Sequence, residues 1–246
     1  MIRSIVKPLV GSVTQFVTEE STTDAQQGAV TSLYVTLLQV MVTRLLSSPD
    51  TKVVHICMSG SYPEDHLQNV LKSLSFGDEK KKLPLDDKTK NTILDSIWLA
   101  YPDDLNESYE QLEKLQEENS AGLSKLMIVI QDLDDMAELY AFRDFTSACA
   151  TLMNFMLKLR KISQLGATVI VTNINHDSGV SMIFSYIAKF YDNKLTFSFH
   201  KGSILLEIRP LTISTELQLS TTTLSINPQT MYHMLFPSSE NALIST

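Results

Sequence analysis

Two apolar runs separated by an amphipathic stretch are the clearest feature in the hydrophobic pattern of this chain. The runs cover residues 126–130 and 167–173, and both are rich in β-branched residues. Runs of this length and composition are typical of buried strands in a parallel sheet, and the stretch between them has the spacing of a crossover helix. The pattern therefore predicts an α/β fold.

The same periodicities predict the remaining elements. Further strands are predicted at 12–18, 52–58 and 96–101, and helices at 29–47, 63–74, 105–119 and 140–164. A glycine-containing turn joins alternating runs at 194–199 and 204–209 into a hairpin, and a weaker alternation over 212–227 adds an edge strand. Residues 76–90 are expected to form a solvated loop. Together these strands and helices predict a central, mainly parallel sheet flanked by helices, with an antiparallel hairpin at its C-terminal edge.

Composition and charge limit the function classes. Of the 246 residues, 43% are apolar and 20% are charged, which predicts one folded domain over 1–227 with a loosely held tail over 228–246. The net charge of -8 argues against nucleic-acid binding by the whole surface, but it is compatible with a local basic patch. Cys57 and Cys149 fall in a predicted strand and helix, which indicates a reducing compartment. The pattern shows neither a signal peptide nor a membrane span, so we expect no membrane association.

Asp132 is the main candidate for site chemistry. It directly follows a buried strand, where open α/β sheets bind ligands, and in nucleotide hydrolases such a carboxylate orders a magnesium-bound water. It therefore matches a Walker B position. No G-x-x-x-x-G-K-[ST] loop accompanies it, and the polar segment 19–28, which stands in place of the phosphate loop, has no lysine and a single glycine, Gly28. The alternative, that Asp132 only ends a core strand, stays open.

A resemblance to a family rests on this order of elements and on three segments. These are Leu157-Lys-Leu-Arg-Lys-Ile-Ser-Gln-Leu-Gly166, Val169-Ile-Val-Thr-Asn173 and Tyr191-Asp-Asn-Lys-Leu-Thr-Phe197. Over residues 12–210 the chain resembles the ATPase core of eukaryotic RecA-type recombinases and their paralogues. The resemblance implies a RecA-like P-loop NTPase fold with a degenerate phosphate loop.

Carried over residue by residue, the resemblance gives a mixed picture. Asp132 matches the Walker B carboxylate, and Thr172 and Asn173 match the end of the strand that carries the sensing loop. Ile174 stands where active recombinases have a glutamine. Residual nucleotide contacts would fall on Asp132, Asn173 and Gly28. We expect no catalysis and no resident cofactor, since ATP with Mg²⁺ lacks its phosphate loop here.

Two groups of degenerate RecA-like proteins fit this description. One comprises accessory paralogues of homologous recombination, including Shu-type complexes. These proteins pair with another RecA-like paralogue and assist loading of the recombinase on single-stranded DNA, and a SWIM-type zinc protein is a further partner. The other comprises the RecA-like subunits of the Elongator accessory ring, which act on transfer RNA. The segment 157–173 and the hairpin resemble the recombination group more closely. The resemblance thus implies a non-catalytic nuclear subunit in DNA repair, with a cytoplasmic transfer-RNA role as the alternative.

Cations on loops after the last core strands are the candidate nucleic-acid contacts. They are His176, Lys194, His200 and Lys201. The alternative for each is an ordinary exposed polar residue. The five histidines, at 55, 66, 176, 200 and 233, show no metal-ligand spacing, so we expect no metal site.

Overall fold

A central sheet with helices on both faces forms the body of the protein. The structure, a computed structural model, describes residues 11–18, 23–73, 75–76, 83–119, 122–141, 144–174, 186–200, 203–210 and 222–226. The strands are β1 (Val13–Thr18), β2 (Lys52–Cys57), β3 (Ser75–Phe76), β4 (Leu83–Pro84), β5 (Ile97–Ala100), β6 (Leu126–Gln131), β7 (Thr168–Ile174), β8 (Asn193–His200), β9 (Ser203–Pro210) and β10 (Thr222–Ile226). The helices are α1 (Thr23–Ser47), α2 (Glu64–Ser73), α3 (Asp87–Asp95), α4 (Leu105–Glu118), α5 (Leu133–Ala141) and α6 (Phe145–Gln164).

The sheet order confirms the predicted mixed α/β sheet. The strands lie in the order β10-β9-β8-β1-β7-β6-β2-β5, and β3 pairs only with β4. The six strands from β8 to β5 are parallel, while β9 and β10 continue antiparallel beyond β8. Parallel strands are buried on both faces, which explains why every residue of β1 and β6 is buried and why β6 is almost wholly apolar. The arrangement is consistent with a Rossmann-like or RecA-like fold.

Each face of the sheet has its own apolar core. On one face, Leu33, Leu37 and Met41 of α1 pack with residues of α2 and α3 against Phe16, Val129 and Ile170. On the other face, the apolar residues of α4, α5 and α6 pack against Val54, Ile128 and Val169. Side chains of successive strand residues point to opposite faces, so each strand contributes to both cores.

The helix α1 is apolar on nearly every side. Over Gly28–Ser47 it is long and apolar enough to cross a membrane by length and composition, and half of that window is buried inside the structure. Leu33, Leu37, Leu38 and Met41 are fully buried against the sheet. A helix in this layer contacts the sheet on one side and other helices beside it, which requires apolar residues around most of its circumference.

A buried ion pair joins the beginnings of β1 and β8. The carboxylate of Asp192 is fully buried; it accepts the backbone N–H of Val13 and pairs with Arg160 of α6. The backbone N–H of Asp192 donates to the carbonyl of Val13 in return, at 2.7 Å. These hydrogen bonds between Val13 and Asp192 hold β1 and β8 in register at the amino ends of the two strands.

Three predicted boundaries are wrong. The helix α1 begins at Thr23, so Gly28 lies inside a helix and not in a polar loop over 19–28. The stretch predicted as one helix over 140–164 belongs to α5 and α6, because Asp144 caps a new helix by accepting the N–H of Thr146. The predicted loop 76–90 runs into α3, whose first turn is capped by Asp86. The proposed tail, 228–246, lies outside the described residues.

Candidate functional site

The carboxyl end of β6 gathers polar side chains from three neighbouring elements around Asp132. This residue is 2% exposed and follows β6 directly, between β2 on one side and β7 on the other. Its backbone has a φ of 57°, in the left-handed region that only a few non-glycine residues adopt. This conformation turns the chain from β6 into α5 without a loop, and the N–H of Asp132 donates to Thr172 Oγ1 at 2.9 Å.

Donors from the chain itself occupy both oxygens of the Asp132 carboxylate. The Tyr34 hydroxyl of α1 donates to Oδ1 and Oδ2, at 2.8 and 2.7 Å. Thr172 Oγ1 donates to Oδ1 at 3.2 Å. Ser59 Oγ and Gln131 Nε2 donate to Oδ2 at 2.9 and 3.0 Å. A carboxylate accepts at about four lone-pair positions, so these contacts saturate it.

Tyr34 covers the carboxylate as a neutral donor. Burial, followed by the negative charge of Asp132, raises the pKa of the Tyr34 phenol far above its ordinary value. The phenol therefore keeps its proton and donates it to the carboxylate. A magnesium ion or its bound water would need the same oxygens, and to reach them it would first have to displace the tyrosine.

A second layer of polar groups holds Gln131 in place. Its side-chain N–H₂ donates to Asp132 and to the carbonyl of Ser61, so its Oε1 faces His55 and accepts from His55 Nε2 at 2.8 Å. His55 is fully buried, and this burial lowers its pKa to about 4. The ring is therefore neutral with its proton on Nε2, and it fixes the orientation of the Gln131 amide.

An open pocket lies beside this network. It has a volume of about 370 Å³ and is lined by residues 61–66 together with Tyr34 and Gln131. The hydroxyl of Tyr62 is buried and makes no hydrogen bond to another residue that the structure describes. Glu64 and Asp65, at the first turn of α2, give the rim an acidic character. The pocket thus carries negative charge and aromatic surface, which suits a cationic group better than a phosphate.

The opposite face of the same sheet edge holds three buried polar side chains that make no well-aligned hydrogen bond to another described residue. They are Asp134, Asn173 and Tyr191, which are 4%, 3% and 2% exposed. Burial, then the charges of Asp132 and Asp135, raises the pKa of Asp134 to about 8, although nearby backbone N–H groups of Asp134 and Ile174 oppose this. Asp134 is therefore mainly protonated at neutral pH.

The other sequence-predicted site residues do not converge. Asn173 is buried near Asp134, on the face of the sheet opposite to Thr172, because neighbouring strand residues alternate. Gly28 lies within α1, where its carbonyl accepts the hydroxyl of Ser32. Thus only Asp132 of the three predicted nucleotide contacts has the polar surroundings of a site.

The predicted nucleic-acid contacts do not form one patch among the described residues. Lys194 lies near the amino end of β8 and is half-buried, while His200 ends the same strand. They are six positions apart along the strand, which corresponds to about 20 Å. His176 and Lys201 lie outside the described residues.

Sequence reasoning missed Tyr34, Ser59 and His55 as members of the site. Tyr34 lies within the apolar stretch of α1, so the sequence pattern predicts a core residue there. Ser59 follows the carboxyl end of β2, which offered a signal, since polar residues after parallel strands share one edge of the sheet. Using that signal required knowing that β2 pairs with β6.

We expect Tyr34→Phe to lower the free energy of unfolding by about 1.5–3 kcal/mol, because a donor to a buried charge is lost. Urea unfolding measures this. The matched control is Tyr62→Phe, whose hydroxyl has no partner, and little or no loss of stability is expected there. Equal losses in the two variants would contradict the role of Tyr34.

The pH dependence of stability should report Asp134. Its folded pKa, about 8, lies well above the ordinary pKa of an aspartate, about 4, so its stabilising contribution is present below about pH 4 and is lost as the pH rises towards 8. Relative to wild type, Asp134→Asn should therefore raise Tm by about 5 °C or more at pH 8.5 and change it little at pH 4.5. The exposed Asp103→Asn is the control, and a constant Tm difference across this range would contradict the assignment.

Comparison with known proteins gives no relative on which to base an assignment. No protein-family model matches the chain, and no curated protein matches it.

Proposed function

We propose that this chain is a non-catalytic RecA-like accessory subunit of a recombination mediator complex. In this role it assists assembly of the recombinase on single-stranded DNA, as a pseudo-ATPase that contributes structure in place of hydrolysis. The observation that carries the proposal is the saturation of Asp132: the Tyr34 hydroxyl contacts both carboxylate oxygens where a magnesium-bound water would otherwise bind.

The sheet order supports the RecA-like part of the proposal. A sensing strand has to lie beside both the phosphate-loop strand and the Walker B strand, in order to report on a nucleotide held between them. Here β7 lies between β1, which leads towards α1, and β6, which ends at Asp132. Thr172 of β7 contacts Asp132 directly. Ile174, at the end of β7, offers no side-chain hydrogen bond to a phosphate.

The start of α1 supports the absence of catalysis. A phosphate loop needs several residues of loop backbone between strand and helix so that N–H groups can surround the phosphates. Only residues 19–22 separate Thr18 of β1 from Thr23 of α1. Those four residues include no lysine and no glycine. The sequence of that segment therefore lacks both the lysine and the glycines of a phosphate loop.

The scattered cations support a subunit that reaches DNA as part of a complex. Lys194 and His200 lie at opposite ends of β8, and the chain carries a net charge of -8. Phosphate binding draws on several clustered cations. We therefore propose that a second RecA-like paralogue completes the DNA surface, in a nuclear complex with the recombinase and a SWIM-type zinc protein.

The pseudo-ATPase assignment predicts that Mg²⁺ with ATP leaves the protein unchanged. We expect a shift in Tm of less than about 1 °C at millimolar Mg-ATP, because little binding means little stabilisation. Differential scanning fluorimetry of the wild type and of Asp132→Ala measures it. Stabilisation of the wild type that is lost in Asp132→Ala would show instead that nucleotide binds at this carboxylate.

The complex itself can be identified by purifying the tagged chain from its own cells, with mass spectrometry and sizing of what co-purifies. We expect a RecA-like paralogue and a zinc-binding partner in a small complex that binds single-stranded DNA, whereas the isolated chain binds it weakly. Two further RecA-like subunits in a hexameric ring that binds transfer RNA would overturn the recombination role and favour the Elongator alternative.

A further inference from the structure

The strand β5 forms an open edge of the main sheet. It pairs with β2 on one side, and no strand follows it in the described sheet order. The N–H of Val53 donates to the carbonyl of Ser96. Because the groups facing a parallel neighbour alternate along a strand, the N–H and C=O groups of Ile97 and Leu99 face the open side.

Two aromatic residues of this edge are exposed, while Ile97 and Leu99 are half-buried. Trp98 is 55% exposed, and Tyr101, just past the strand, is 49% exposed. The segment 96–101 contains no charged residue, and Pro102 follows it. Open edges in folded proteins usually carry lysine, proline or a bulge that prevents pairing with another chain. The outward groups of β5 lack a protecting charge, so the edge has the character of a pairing site.

The acidic pocket described above lies at the carboxyl end of this edge. Burial, followed by the charges of Cys57, Tyr101 and Glu64, raises the pKa of Tyr62 in the pocket wall. Partial burial, then Cys57 and Glu64, likewise raises the pKa of Tyr101. The two tyrosines and Glu64 are therefore close enough to interact electrostatically. Ala100 of β5 pairs with Ile56 of β2, and the pocket residues 61–66 follow the end of β2, so the pocket lies beyond the carboxyl end of this edge. We name the two together the β5 docking surface: residues 96–101 with Tyr62, Glu64 and Asp65.

Charge decides which occupant fits this surface. Asp95 and Asp103 flank β5, and Glu64 and Asp65 line the pocket; all four are exposed and none makes an ion pair with another described residue. A second copy of the chain would bring the same acidic residues together at this surface, and such like-charge contacts are unfavourable. A segment with basic residues beyond its apolar centre would be attracted instead.

We propose that β5 binds an extended segment of a partner protein, which adds a strand to the sheet and places an arginine or lysine in the acidic pocket. Main-chain hydrogen bonds to Ile97 and Leu99 supply the pairing, and Trp98 contacts the apolar centre of the segment. An arginine suits the pocket because its planar group can pair with Glu64 or Asp65 and stack on Tyr62. This surface binds its partner whether or not the protein acts on DNA.

A random 12-residue peptide library displayed on phage, selected against the full-length protein, tests the proposal. We expect enriched peptides to alternate β-branched or aromatic residues with polar ones and to carry arginine or lysine. Trp98 is the only tryptophan of the chain, so its fluorescence should shift when a synthetic copy of such a peptide binds. Failure to enrich any peptide, or enrichment of acidic ones, would overturn the proposal.

Variants separate the two parts of the surface. The double variant Glu64→Gln, Asp65→Asn should weaken peptide binding at least tenfold, measured by fluorescence anisotropy, while Glu117→Gln, Glu118→Gln at the far end of α4 should not change it. Leu99→Pro removes an outward N–H and keeps the bonds to β2, so it should also weaken binding at least tenfold with an unchanged circular dichroism spectrum.

Self-association provides the remaining check. We expect the wild type to sediment as a monomer at micromolar concentration. A wild-type dimer that Leu99→Pro converts to a monomer would show that a second copy occupies the edge, and would overturn the proposal of a basic partner. Equal peptide binding by the wild type, the acidic-pocket variant and Leu99→Pro would overturn it as well, because the peptides would then bind elsewhere.

Discussion

A buried carboxylate at the end of the central strand has to be satisfied from within the protein, and the surroundings of β6 follow from that requirement. An ionised group away from water costs several kcal/mol unless hydrogen bonds replace its hydration. Asp132 obtains these bonds from Tyr34 of α1, Ser59 of the turn after β2, Gln131 of β6 and Thr172 of β7. The carboxylate therefore ties α1 to three adjacent strands, and the left-handed backbone of Asp132 is held by the same contacts.

The repeating elements could be predicted from the sequence, because their causes are local. β6, β7 and the β8–β9 hairpin were predicted to within one or two residues, since buried parallel strands and alternating hairpins have distinct patterns. The start of α1 could not be predicted in this way, because a polar segment at the beginning of a helix has the same composition as a loop. The break between α5 and α6 was also missed, since its signal is one capping residue, Asp144.

The site could be predicted only as far as Asp132. Its position after a buried strand is visible in the sequence, and the neighbours that determine its chemistry are not. Tyr34 is 98 residues away along the chain and Ser59 is 73 residues away. Whether Asp132 faces an empty cleft or a tyrosine depends on the side of α1 that meets the sheet. That orientation results from the packing of the whole apolar face of α1. No short sequence pattern predicts it.

The two ends of the described sheet are built differently. Beyond β8 the sheet continues through β9 and β10, and Asp192 and Arg160 fasten the start of β8 to β1 and α6. At the other end the described sheet stops at β5, where Trp98 is exposed and the outward main-chain groups pair with no other described strand. The carboxyl edge between them is filled by the chain's own donors at Asp132. The chain's own donors thus occupy the carboxylate that a ligand would need, whereas the outward main-chain groups of β5, where we propose that a partner segment pairs, bond to no other strand among the described residues.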